Sequence, residues 1–224
     1  MTVAGAALEG ALSEAGASGE GDAALGAAPG PAGSLELWYP RPAEKWLEAL
    51  PIGCGRLSAM VFGGVSRERL QLNEDTVWAG GPHNYDNPDA LAALPEIRRL
   101  VFEGKYIEAE ELVDAKFIGR PARQMPYQPV GDLTLEFPGH GEVSDYRRRL
   151  DLDTATASVE YVAQGVRYHR EVIASAPHQI IALRFTADKP GSITFTARFE
   201  SPQRSTVRSA DERTIALEGI SGDF

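Results

Sequence analysis

The sequence predicts a mostly β protein: an antiparallel β-sandwich with a short helical insertion at about residues 88–117. Three observations predict it. From Leu133 onward, short segments alternate apolar and polar positions, with turn residues between them at regular spacing. Upstream, a buried apolar run and an alternating run flank the glycine pair of "GGVS" and read as a hairpin. Between these regions lies a stretch whose apolar residues recur at helical spacing.

The first 33 residues are mostly Ala and Gly with scattered acids and no Lys, Arg or aromatic residue. Such a segment buries too little to offset its ordering entropy, so residues 1–33 are expected to form a disordered tail, with the folded domain running from 34 to 224. "SLELWYPRP" alternates Leu35, Leu37 and Tyr39 with Glu36 and stops at Pro40 and Pro42. "RLSAMVFGG" and "RERLQLNE" form the hairpin. Asn87 reads as a helix N-cap followed by Pro88 at the first helical position, and Leu91, Leu94, Ile97 and Val101 make one stripe. Pro95 is expected to break or kink this helix and Gly104 to end it. "YIEAEELVDAKF" follows as a second amphipathic helix with Tyr106, Ala109, Val113 and Phe117 inward. The remaining strands read as "LTLEF", "YRRRLDLD", "ASVEYVA", "VRYHREVIAS", "QIIALRFTA", "SITFTARFE" and "RTIALEG". "YRRRL" is expected at a sheet edge, its alternating charges guarding against strand pairing.

Composition narrows the function. The 224 residues carry a formal net charge of -10, and an acidic surface repels phosphate backbones, so no nucleic-acid partner is expected. No apolar run approaches the roughly 20 residues that span a bilayer, so no membrane partner is expected either. Glu9, Glu14 and Glu20 interrupt any apolar stretch a signal peptide would need, and as written the chain reads as cytoplasmic. The single cysteine, Cys54, excludes an internal disulfide. His83, His140, His169 and His178 lie on separate elements without ligand spacing, and neither glycine pair is followed by Lys-Ser/Thr. No metal and no cofactor are expected.

Three long motifs carry a family likeness: "LWYPRPAEKWLEALPIGCGRLSAMVFGG", "ERLQLNEDTVWAGGPHNYDNPDA" and "RQMPYQPVGDLTLEFPG". In this order they resemble the N-terminal domain of glycoside hydrolase family 95, which includes α-L-fucosidases. The likeness covers residues 35 to about 224. It implies a β-super-sandwich, followed in the full-length enzyme by a helical linker, an (α/α)6 catalytic barrel and a C-terminal β-domain. It also implies inverting hydrolysis of terminal α-L-fucosyl linkages, a fucosylated oligosaccharide as substrate, and the chain's own barrel as partner. Cys54 stands where the family pattern has an amide.

The resemblance places the general acid and the water-activating groups on the barrel, so no catalytic residue is expected within these 224 residues. Inverting chemistry needs two groups about 6.5–9.5 Å apart. Glu74 and Asp75 are adjacent, and in a strand they would point to opposite faces. Asp86 and Asp89 straddle a helix start, where capping and dipole compensation explain them.

The substrate-binding candidates are Asn73, Glu74, Trp78, His83, Tyr127 and Gln128. Sugar sites set an aromatic face against the C–H side of the ring and polar groups against its hydroxyls, and "LNEDTVWAGGPH" supplies both. Pro126 and Pro129 would present Tyr127 and Gln128 on a stiff loop. The competing account is structural: Trp78 packing over Gly80–Gly81, Asn73 and Glu74 bonding the loop backbone, and "RQMPYQPVGD" packing between domains. A stand-alone carbohydrate-binding module and a purely structural sandwich are the alternative readings of the whole.

Overall fold

The computed structural model describes residues 2–7 and 35–222. The chain forms two units: Met1–Val77 with Pro129–Ile220, and Trp78–Gln128 with Ser221–Phe224. Among the described residues, the first unit holds every strand and the second holds both α-helices.

The strands are β1 (Thr2–Ala7), β2 (Glu36–Tyr39), β3 (Leu50–Gly53), β4 (Leu57–Val61), β5 (Arg67–Glu74), β6 (Gly131–Glu136), β7 (Val143–Asp151), β8 (Thr156–Ala163), β9 (Val166–Ser175), β10 (Ile180–Ala187), β11 (Thr196–Glu200), β12 (Arg204–Asp211) and β13 (Thr214–Ile220). They make two five-stranded sheets, ordered β11-β6-β5-β4-β3 and β10-β9-β8-β7-β2, and a three-stranded sheet β1-β13-β12. Neighbouring strands in all three sheets run antiparallel, as expected for a sandwich. Alternation puts Val61, Leu70, Leu133 and Leu135 of one large sheet in the same core as Leu150, Ala157 and Val172 of the other. Leu70 is wholly buried, and each such side chain contributes about 1.5–3 kcal/mol.

The β4–β5 hairpin forms in the expected place, with Val61 opposite Leu70 and Leu57 opposite Glu74. Several other readings are corrected. The strand Leu50–Gly53 escapes periodicity because Pro51 interrupts it; as the last strand of its sheet it tolerates a residue with no N–H to donate. Strand Arg204–Asp211 is polar and largely exposed, so no apolar alternation announces it. "SITFTARFE" is a strand only over Thr196–Glu200. "YRRRL" lies between β8 and β2 rather than at an edge, and Arg148 turns inward to 2 % exposure. In the expected tail, the Thr2–Ala7 backbone pairs with β13, while residues 8–33 lie outside the described residues.

In the second unit, α1 (Ala90–Phe102) and α2 (Tyr106–Lys116) fill the expected insertion. Asn87 lies two residues before the N-cap, Asp89: its Oδ1 accepts from the Asp89 N–H and its carbonyl from the Ala90 N–H. Helix α1 runs through Pro95 without ending there. Ile97 and Leu100 are its buried residues, and Leu91 and Val101 are exposed, so the inward face is rotated from the expected stripe. In α2 only Ala109 is buried.

Gly104 ends α1 as expected. At φ +76 it donates to the Val101 carbonyl while Lys105 donates to that of Leu100, the paired bonds of a Schellman cap. A Cβ at Gly104 would meet nothing within 4 Å, so the cost of a side chain is conformational. Gly104→Ala is expected to destabilise the helical unit by about 1–2 kcal/mol in urea denaturation followed by far-UV circular dichroism, and Gly104→Asn by less.

Candidate functional site

Asn73 and Glu74 close strand β5 in the first unit, opposite Ser58 and Leu57. Asn73 is half-buried. Glu74, with 2 % of its surface exposed, is held at both oxygens. Oε1 accepts from Arg56 Nε at 2.6 Å, and Oε2 accepts from the Thr76 N–H at 2.9 Å and hydroxyl at 2.6 Å. Burial pushes this carboxyl up, but the Thr76 and Arg56 hydrogen bonds outweigh it and hold the group below the usual carboxylate range. The Asp75 N–H donates to the Arg56 carbonyl and the Val77 N–H to the Glu74 carbonyl. Glu74 is therefore an ionised clamp that fixes the end of β5 and holds Arg56 in place. Arg56 follows the Gly53–Gly55 turn, in which Gly55 adopts φ +91 and the Cys54 N–H donates to the Leu57 carbonyl. Sequence reasoning passed over Arg56; the available signal was a basic residue directly after a glycine turn on the neighbouring strand.

In the second unit, Trp78 and Tyr127 form an antiparallel bridge, and their rings meet edge to face at 5.0 Å and 66°. They are 44 % and 39 % exposed, so an aromatic surface remains open to solvent. The Ala79 N–H donates to the Pro126 carbonyl, and Ser221 Oγ donates to the Trp78 carbonyl. The two loop segments run so close that a Cβ on Gly80 would sit 1.9 Å from Met125 Sδ. Met125, rather than Trp78, thus covers the glycine turn. Gln128 is buried, its Nε2 directed to the carbonyls of Pro126 and Tyr127 at 3.5 and 3.4 Å.

His83 makes its contacts elsewhere: Nε2 lies 3.0 Å from the Arg120 carbonyl, and the ring packs edge to face on Tyr85 at 4.9 Å. Asp89 pairs with Arg120 at 3.0 Å, a surface interaction at the start of α1. The six candidates thus divide, with Asn73 and Glu74 in the first unit and Trp78, His83, Tyr127 and Gln128 in the second. Within the second unit, the fold brings Trp78, Tyr127 and Gln128 together.

The family profile of the glycosyl hydrolase family 65 N-terminal domain matches residues 37–223. The chain is 46 % identical over 170 residues to alpha-L-fucosidase 2 of Arabidopsis thaliana, covering 75 % of this chain and 20 % of that relative. It is 29 % identical over 179 residues to probable alpha-fucosidase A of Aspergillus niger, covering 76 % and 22 %. A third relative, probable alpha-fucosidase A of Aspergillus oryzae, is 30 % identical over 136 residues, covering 59 % and 19 %. The chain spans about a fifth of the length of these relatives. The motif-based expectation of a glycoside hydrolase N-terminal domain similar to that of named α-fucosidases is borne out; the matching profile carries the family 65 name rather than 95.

Proposed function

The chain belongs to the glycosyl hydrolase N-terminal domain family matched over residues 37–223, and on that premise we propose that it is the N-terminal β-sandwich domain, residues 34–224, of a longer α-L-fucosidase-like enzyme. The observation that carries this reading is the 46 % identity over 170 residues to alpha-L-fucosidase 2. The full-length protein hydrolyses terminal α-L-fucosyl linkages of oligosaccharides with inversion, using an acid and a water-activating group from its helical barrel. The N-terminal domain packs on that barrel and lines the sugar pocket. Large apolar side chains left at the surface of each unit support a covering partner: Leu47 is 87 % exposed in the first, and Phe102 is 87 % and Leu91 81 % exposed in the second.

Of the six candidates, Trp78 and Tyr127 are best suited to touch sugar, since fucose presents an apolar methyl and C–H face that an open aromatic surface can cover. In the same unit, Gln128 and His83 offer amide and imidazole groups for hydroxyls; Asn73 offers an amide on the first unit. Glu74, with both of its oxygens already engaged, serves the first unit by holding Arg56 and the β5 terminus.

The test is hydrolysis of an aryl α-L-fucoside. The full-length protein is expected to release the phenol and the 224-residue chain to release none. In the full-length protein, Trp78→Ala is expected to lower kcat/KM about tenfold, equivalent to the loss of roughly 1–2 kcal/mol of stacking. A lowered Tm with unchanged kcat/KM would make the loop a structural turn. Turnover by the 224-residue chain above a heat-killed control would overturn the assignment, and saturable fucose binding by a full-length protein without turnover would favour a carbohydrate-binding module.

A further inference from the structure

The first unit contains buried titratable groups that the proposed hydrolase reading does not use. Glu68, the second residue of β5, has 3 % of its surface exposed, and Arg170 of β9 faces it, also at 3 %. Glu68 Oε1 accepts from the Gly63 N–H at 2.8 Å and the Arg69 N–H at 3.0 Å. Arg170 donates from Nη1 to the Gly64 carbonyl and from Nη2 to the Val65 carbonyl, both at 2.7 Å, and from Nη2 to the Tyr161 hydroxyl. Carboxyl and guanidinium thus grip the same turn, Gly63–Ser66, from below. Tyr146 of β7 adds a third hold by donating to the Gly63 carbonyl at 2.7 Å.

These two groups do not form a hydrogen-bonded ion pair. Arg170 Nη1 is 3.7 Å from Glu68 Oε2, beyond hydrogen-bond reach, and both terminal nitrogens are committed to turn carbonyls and Tyr161. Its remaining attraction is to ring faces, 3.7 Å above Phe137 and 4.8 Å above Tyr161. A charged carboxylate in this place has two outcomes. It stays opposite Arg170 across 3.7 Å with no hydrogen bond between them, or it draws the guanidinium off the turn. A neutral carboxyl removes the conflict.

We infer that Glu68 and Arg170 form a proton-operated latch on the Gly63–Ser66 turn, closed when Glu68 is neutral and loosened when it loses its proton. The groups around the latch are consistent with that polarity. Burial pushes the Glu68 carboxyl up to about 7 against the pull of Arg170 and the backbone N–H groups. Arg148 of β7, also buried, is held by the carbonyls of Arg41 and Glu48 instead. Burial pushes the Tyr161 hydroxyl of β8 up to about 12 and raises that of Tyr146, so both stay neutral. His140 Nδ1 lies 2.9 Å from the Tyr161 hydroxyl, and burial with the nearby Arg170 lowers its pKa and favours the uncharged ring.

The sign follows from linkage. A folded pKa above the unfolded value of 4.5 gives stability that is complete below 4.5 and is lost as pH rises to about 7. His140 works in the opposite direction, its folded pKa lying below 6.5, so stability is lost as pH falls below that value. The experiment must therefore isolate Glu68.

Hydrogen exchange of the Gly63, Gly64 and Val65 amides, corrected for intrinsic rates, is compared between the wild-type chain and Glu68→Gln at pH 5 and pH 8. Glutamine mimics the neutral acid. The two proteins are expected to match at pH 5, and at pH 8 the wild-type amides should exchange faster by about tenfold to a hundredfold. A ratio that does not change with pH would overturn the latch. If Glu68→Gln does not fold, the carboxyl carbon resonance of Glu68 in the wild type decides: titration near neutral with turn protection falling in step supports the latch, and titration with the surface glutamates refutes it. Neither measurement uses fucosidase activity.

Discussion

Replacing Arg170 with alanine is expected to destabilise the sandwich by about 3–5 kcal/mol. Removing the guanidinium strips the Gly64 and Val65 carbonyls of their buried donor and leaves the Glu68 carboxyl without its facing charge. It also uncovers the ring faces of Phe137 and Tyr161. Urea denaturation at pH 8 should give the full loss. At pH 5.5 the loss should shrink, because Glu68 is then neutral and no longer stranded. Adding Glu68→Gln to Arg170→Ala should recover part of the stability at pH 8, a coupling that a double-mutant cycle reads directly. Arg170→Met, which keeps the packing over the rings, should fall between wild type and alanine. A loss below about 1 kcal/mol at pH 8 would mean that water enters and replaces the guanidinium.

That buried set also marks where sequence reading stopped. "ASVEYVA" was legible because Ala157, Val159 and Tyr161 alternate with the polar Ser158 and Glu160 and, with Ala163, end in the core. The same rule of alternation sends charged strand residues to solvent. It failed at Arg148 and Arg170, whose acceptors are backbone carbonyls 107 and 106 residues away. No local pattern encodes such partners. The helices were placed to within a few residues by the Asn87–Pro88 start and the Gly104 stop, but their inward face was not, because periodicity gives a stripe without saying which neighbour covers it. At the candidate site, the composition of "LNEDTVWAGGPH" indicated an aromatic and polar cluster. It did not say that Trp78 would pair with Tyr127, or that Glu74 would be clamped by Arg56, since both contacts depend on which strands and loops become neighbours.

Gly64→Ala is expected to produce the second large loss, about 3 kcal/mol in urea denaturation. Gly64 has no left-handed φ to preserve, so the penalty is steric alone. A Cβ built there lies 1.9 Å from the Arg67 carbonyl oxygen and 2.9 Å from its carbon. Those are backbone atoms at the start of β5, and they cannot swing aside like the end of a flexible side chain. The turn must open, which adds overpacking strain of about 1–3 kcal/mol to weakened bonds from Arg170 to the Gly64 and Val65 carbonyls. Gly81→Ala is the matched control: its Cβ would meet nothing within 4 Å, so that change should be neutral or slightly stabilising. Because Gly64→Ala and Arg170→Ala disrupt the same turn, their combination should cost clearly less than the sum of the two. Additive losses would show that the glycine and the arginine support the sandwich separately, and the turn would then no longer be the point through which the buried charges hold β4 to β5.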